Sequence, residues 1–322
     1  MGEKINKMEE IKMDEIKQII VRAATHIGRE IGVAMGGLTR SAETNSQWSG
    51  ILKERCLNAI RYGLNFLSGN SISVDLVDIP YNTSAIGKGL GTNDMEIEIF
   101  GYDNNMRVIC LADVVDGTWN ACAGIPFSSS TMVAFTGPIG ATPPQEVTMN
   151  DFDVGLIVPL VGDGFYLGIK GQSPKFICWD GREEKLHLTK NINPLQVRCF
   201  IDLFTTQTYS SLEKSIQAVI PIISKWADFG RFYGAGGELM SLLGRNNIEP
   251  AFGGYVAANQ KMDNVIPTSI ILEGAGAKVS DWRGRSLGHH KLLDRVYVVF
   301  GANDPLYQNL IEVLSVNDTD SW

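Results

Sequence analysis

The sequence predicts an α/β protein: two amphipathic helices at the N-terminus, a large antiparallel sheet laid on them, and a C-terminal half in which strands and helices alternate. Three observations carry this expectation. Apolar residues recur at helical spacing in two stretches before residue 70, short apolar runs bounded by Gly and Pro follow one another from about residue 95, and the rhythm changes to strand, helix, strand, helix from about Val197. The change of rhythm sets a boundary near Asn191 and divides the chain into units of residues 1–190 and 191–322.

The first helix is expected from about Asp14 to Ala34, where Ile16, Ile19, Ile20, Ala23, Ile27 and Ile31 form one stripe and Lys17, Arg22, Arg29 and Glu30 face water. Gly36-Gly37 ends it. A second runs from about Ser49 to Leu67 on Leu52, Cys56, Ala59, Ile60 and Leu64, and Gly69-Asn70 closes it. Residues 71–93 read as a loop because of Pro80, Gly87, Gly89 and Gly91; the glycine run lacks the ending of a nucleotide-binding loop. Met95 to Phe100 alternates apolar and acidic residues as a strand with one wet face. Further strands are expected at Val108–Ala112, Ser129–Phe135, Val154–Pro159, Gly164–Ile169 and Lys175–Trp179, then helices at Ser211–Lys225, Gly236–Leu243 and Asn264–Leu272.

Composition excludes several classes. With 322 residues, 44% hydrophobic and 20% charged, the chain is globular and long enough for a full core. A net charge of -8 offers no basic face to replace counterions, which argues against nucleic acid as a partner. No apolar run reaches the length of a membrane span, and the charged N-terminal stretch lacks a signal-peptide core, so a cytoplasmic protein is expected. The five cysteines are widely spaced and in apolar company, as free buried thiols are.

The chemistry centres on Asp113-Val114-Val115-Asp116-Gly117-Thr118. The apolar run before it reads as a buried strand, so two carboxylates three residues apart sit at a strand end, followed by Gly-Thr. Such an end can hold a hard cation through its carboxylates and a phosphate through the amides after Gly117; a polar turn with solvated acids is the plainer alternative. A second constellation follows in the C-terminal half: Met262-Asp263, Glu273-Gly274-Ala275-Gly276 and Asp281-Trp282-Arg283-Gly284. By itself Asp263 suits a helix cap, and the Gly-Ala-Gly run suits a tight helix exit.

Together the two constellations resemble the inositol monophosphatase and fructose-1,6-bisphosphatase superfamily, whose marks are an acidic strand pair, Asp-Pro-Ile/Leu-Asp-Gly-Thr/Ser, and a later Trp-Asp followed by Glu-Ala-Gly-Gly. The chain supplies Asp113 to Thr118 with Asn120 and Pro126 for the first, and Met262-Asp263 with Glu273 ten residues on for the second. Arg231-Phe-Tyr-Gly234-Ala-Gly236 resembles the family's substrate loop. The resemblance implies a layered α/β/α/β/α sandwich and a phosphomonoesterase using two or three magnesium ions, with manganese as a substitute. It implies Glu98, Asp113, Asp116, Asp263 and the Val115 carbonyl as metal ligands, with Glu96 an alternative to Glu98 on the same strand face. Thr118, Asp116 and Glu98 would be the catalytic residues, with Thr118 orienting the attacking water. Gly117, Thr118, Arg231, Gly234 and Gly236 would bind a small-molecule phosphate ester. A homodimer or homotetramer is implied as well.

Departures from the pattern bear on activity. Gly50 stands where the family has an Asp on the second helix, and Ile99 where the acidic pair has its second member; Asp75 or Asp78 could substitute. Val256 replaces the Glu that inositol-specific members carry, which favours a sugar phosphate such as fructose 1,6-bisphosphate. Lys261 and Arg245 are expected on the solvated surface, with a second phosphate as their alternative contact. A catalytically impaired paralogue acting in binding or assembly is the competing reading.

Overall fold

A computed structural model describes residues 2–36, 45–79, 95–101, 106–117, 129–203, 209–226, 228–230, 240–250 and 252–315. Two helices, α1 (Gly2–Met35) and α2 (Asn45–Gly69), pack on each other and form the outer layer. Their apolar stripes, Ile16 to Ile31 and Leu52 to Leu67, are buried against Phe135, Val154, Leu156 and Phe165 of the sheet beneath. That stripe is why the helices form where they do, since an amphipathic helix gains most of its stability from the face it buries.

The sheet beneath has nine strands: β1 (Ser73–Asp78), β2 (Glu96–Phe100), β3 (Arg107–Asp116), β4 (Ser130–Thr136), β5 (Phe152–Pro159), β6 (Gly164–Ile169), β7 (Lys175–Cys178), β8 (Glu183–Leu188) and β11 (Leu243–Arg245). Their order is β11-β8-β7-β6-β5-β4-β3-β1-β2. The sheet is mixed, not purely antiparallel as expected, because β1 runs parallel to β3. The departure lies in residues 73–78, read as loop from the sequence but buried as the second strand from one edge.

A second sheet of five strands contains β9 (Arg198–Asp202), β10 (Asp228–Gly230), β12 (Phe252–Lys261), β13 (Lys278–Asp281) and β14 (Arg295–Gly301), in the order β10-β9-β12-β14-β13. Helices α3 (Tyr209–Lys225) and α5 (Asp304–Ser315) pack together on its outer side. Helix α4 (Met262–Gly274) lies between the sheets, touching β3 to β6 on one side and β12 to β14 on the other. Every residue from Met262 to Leu272 is buried, as expected of a helix apolar all round. The five layers are the α/β/α/β/α sandwich expected from the resemblance.

Close contact between α4 and the first sheet depends on glycine. Gly155 and Gly168 face each other across β5 and β6, and a Cβ at Gly155 would stand 2.6 Å from the Pro267 carbonyl oxygen. The first half of the expected helix at Gly236–Leu243 falls outside the described residues, and its last residue opens β11.

Candidate active site

The parallel pairing of β1 and β3 places Asp78 beside Ala112, one residue from Asp113, at the C-terminal ends of both strands. In a regular strand Asp113 and Asp116, three residues apart, would point to opposite faces. The β3–β4 ladder shifts register between them: Asp113 pairs with Met132 and Asp116 with Ser130, so β3 holds one extra residue there. Such a bulge absorbs one step of the alternation and bends the strand end. Two hydroxyls secure it: Thr131 Oγ1 donates to the Val114 carbonyl at 2.8 Å and Ser129 Oγ to the Gly117 carbonyl at 2.7 Å. Gly117 itself turns the chain with φ 72°, where a side chain would be strained.

The other half of the site comes from the junction of β12 and α4. A second register shift lies between Ala257 and Gln260, and Asn259 takes a left-handed φ of 57°. Asn tolerates that conformation better than most residues. After the shift come Lys261, the last residue of the strand, and Asp263, in the first turn of α4, where a carboxylate also meets the positive end of the helix dipole.

Lys261 is the centre of the cluster. Its ammonium donates to Asp263 Oδ2 at 2.7 Å and to the Ile79 carbonyl at 3.3 Å, and stands 3.5 Å from Asp113 Oδ2. Burial works against its charge, but Asp113 and Asp263 outweigh burial and hold the ammonium above the ordinary lysine range. Burial raises the Asp263 carboxyl, and Lys261 pulls it back. Asp78 is pushed up to about 6, first by burial and then by Asp113, against the pull of Lys261 and Lys53. Among the described residues Asp263 Oδ1 is buried without a hydrogen-bond partner. The carboxyls of Asp78, Asp113 and Asp263 thus all act on the one buried ammonium.

Of the residues expected in the site, Asp113 and Asp263 are brought together through Lys261. Asp116 and Val115 lie buried beyond the bulge on the same strand end. Glu98 sits on β2, an edge strand paired outside β1, and its carboxylate accepts from Arg61 of α2 at 2.7 and 2.8 Å. Distance from the Gly101 turn suggested Glu98, whose strand lies one place farther out than β1. Asp78 ends β1 itself, and Glu96 lies opposite it in the β1–β2 register. Thr118, Arg231, Gly234 and Gly236 lie outside the described residues.

Both basic residues expected at the surface differ from that expectation. Lys261 is buried, and Arg245 is pinned between Asp163 and Glu184 with its guanidinium over the Phe176 ring, at the far edge of the large sheet. Asp281 is structural: it accepts from the amides of Arg283 and Arg285 and closes the turn at Gly284. The Gly-Ala-Gly run is a helix exit, with Ala277 N–H returning to the Leu272 carbonyl and Gly276 at φ 100°.

The residues do not fit a preformed centre of two or three ions. Among the described residues no three acidic, histidine or cysteine side chains converge closely enough to hold a metal ion. They do fit a single hard cation that arrives with a phosphate, since magnesium commonly uses one or two carboxylates and fills its shell with water and phosphate oxygens. The unpartnered Asp263 Oδ1 is the observation that favours it.

Comparison with solved structures identifies the fold. The chain aligns over 95% of its length with 99% of the inositol monophosphatase from Anabaena, at a TM-score of 0.61 and 16% identity. The extragenic suppressor protein SuhB from Bartonella henselae aligns over 94% of this chain and 99% of its own, at 0.59 and 15%. SuhB from Mycobacterium tuberculosis gives 0.61 at 14% identity, covering 93% of this chain and 96% of its own. No family model matches the sequence, and no curated protein matches it. The chain thus has the inositol monophosphatase fold with a sequence far diverged from these neighbours, as the resemblance of its motifs led one to expect.

Proposed function

We propose that this protein is a magnesium-dependent phosphomonoesterase acting on a small sugar or polyol phosphate. The observation that supports the reading is the meeting of Asp113 and Asp263 on the buried Lys261 ammonium, where β3 approaches the first turn of α4, with Asp263 Oδ1 left without a partner among the described residues. A carboxylate cluster of this kind has no packing value, because burying charge costs free energy unless cations or hydrogen bonds compensate.

Asp263, through its free Oδ1, and Asp116 are the groups that would hold the magnesium ion, and bound there the ion would supply Lewis acidity toward phosphate oxygens and a more acidic water. The chain's own residues do the rest. Lys261 offsets charge on Asp113 and Asp263 and holds the Asp263 carboxylate in place through its 2.7 Å contact. Ser129 and Thr131 fix the backbone that carries Asp116 and Gly117, so that the acids need little reorganisation when the ester enters. Val256 is fully buried between Ile201 and Val299 and offers no polar group to a polyol, which favours fructose 1,6-bisphosphate over inositol monophosphate.

The test is phosphate release by purified protein on both esters, with magnesium and with chelator. Chelator-sensitive turnover of the bisphosphate, abolished in Asp116→Asn while the fold is retained, is the expected result; an equally active Asp116→Asn variant would refute the assignment. The second reading, a catalytically impaired binding or assembly protein, is favoured by Gly50, whose Cβ position has nothing within 4 Å and so leaves the helper acid unreplaced from α2. Absence of turnover from folded protein on any phosphate ester would establish it.

A further inference from the structure

The geometry points to Lys261 as a resident cation: its ammonium fills one ion position of the carboxylate cluster, so the protein takes up one divalent ion fewer than an equivalent cluster without the lysine. The inference deepens the hydrolase reading by naming how the site is neutralised.

Among the described residues Lys261 is the only lysine or arginine that is buried, with 8% of its surface exposed. A buried ammonium is costly unless all its donors are engaged by acceptors, negative ones above all. Here three oxygens surround it: Asp263 Oδ2 at 2.7 Å, the Ile79 carbonyl at 3.3 Å and Asp113 Oδ2 at 3.5 Å. Two carboxylates and a main-chain carbonyl are also the donors a hard divalent cation takes. The three come from the residue after β1, from β3 and from α4, segments far apart in the chain. Lys261 reaches this point because the register shift after Ala257 and the left-handed Asn259 re-aim the last residues of β12. A second cation placed between Asp113 and Asp263 would stand within contact distance of the ammonium, and like charges so close repel strongly in a buried setting. The position is therefore taken while Lys261 is present and becomes available when the charge is removed.

The experiment counts ions. Equilibrium dialysis of the parent with manganese as the ion, in the presence of inorganic phosphate, is expected to give no more than one ion per chain; two or more would overturn the inference. Lys261→Met, which keeps the stem and removes the charge, is expected to bind one ion more than the parent. Its Tm, below the parent's in chelator, should rise by roughly 5 °C or more at saturating ion, and by more than the parent's rises. A Lys261→Met variant that gains no ion and no added thermal shift would also overturn it. Should the Met variant fail to fold, Lys261→Gln and the parent count decide by the same criteria. Neither readout involves catalysis, so a protein that releases no phosphate would end the hydrolase reading and leave these results standing.

Discussion

A carbonyl buried at a strand bulge has lost its ladder partner and must find another. Thr131 and Ser129 supply that partner to Val114 and Gly117, and both hydroxyl residues are almost wholly enclosed. Thr131→Val keeps the shape and removes the donor, leaving the Val114 carbonyl unsatisfied at a cost of about 1–3 kcal/mol. We expect urea denaturation to show that loss and phosphate release to fall with it; unchanged stability would mean the bulge holds without the hydroxyl. Arg245 gives a residue-scale prediction at a different place, read through pH. Its hydrogen bonds hold the Asp163 and Glu184 carboxyls below their ordinary values. A depressed carboxylate stabilises the fold above its unfolded pKa of about 4, and that contribution disappears as pH falls through the folded value. Arg245→Met should therefore be less stable than the parent at neutral pH, with the difference narrowing as the solution is acidified below about pH 4. A gap in Tm that stays constant from neutral to acid would contradict the assignment. Asp163 is mostly exposed, so solvent screens much of the pair and the effect should be modest.

At the scale of elements, α4 decides how closely the two sheets approach. Its buried residues admit no exposed face, and its contact with β5 and β6 passes through the Gly155–Gly168 pair. Gly155→Val would drive a side chain into the α4 backbone at Pro267, and overpacking of that kind costs roughly 1–3 kcal/mol and sometimes more. Gly50→Ala is the counterpart, since nothing lies within 4 Å of the added methyl and the position is helical. It should stabilise by up to about 1 kcal/mol through backbone entropy. Chemical denaturation of both variants checks the pair, and a neutral Gly155→Val would show that the helix can shift without loss. The same elements explain what could be read from the sequence. The helices α1 and α2 were legible from their stripes, and the Asp113 to Thr118 motif from its composition at the end of an apolar run. Asp78 was legible only as a possible substitute acid, and Lys261 only as a surface residue or second-phosphate contact. Asp78 acquires its place only through the parallel pairing of β1 with β3, a long-range fact, and the strand it ends looked like part of a glycine-rich loop. Lys261 depends on a bulge two residues earlier, and a lysine in a polar Asn-Gln-Lys run carries no local sign of burial. In β2 the alternation predicted one wet acidic face, yet Ile97 and Ile99 are exposed and Glu98 is half-buried, because β2 is an added edge whose place in the sheet no local pattern shows.

For the whole molecule, the question is whether two sheets make two folding units. The strands change sheets after Leu188, as the altered rhythm near residue 191 suggests, yet Leu243–Arg245 return to the first sheet as its edge. One apolar core runs from Val77, Met132 and Ile157 of the first sheet through Met262 to Leu272 of α4 into Val256, Val298 and Phe300 of the second. The site is built across the same seam, with Asp78 and Asp113 on one sheet and Lys261 and Asp263 on the strand–helix junction of the other. Separating the halves would expose α4 on one side and strand an ammonium and several carboxylates, each of which costs more unpaired than paired. Both terms oppose an intermediate with one half folded. We therefore expect a single cooperative transition in which far-ultraviolet dichroism and tryptophan fluorescence coincide. The fluorescence reports both halves, since Trp48 lies under the first sheet and Trp226 and Trp282 beside the second. Two resolved transitions would mean that α4 belongs energetically to one sheet alone, and the site could then open without unfolding the protein.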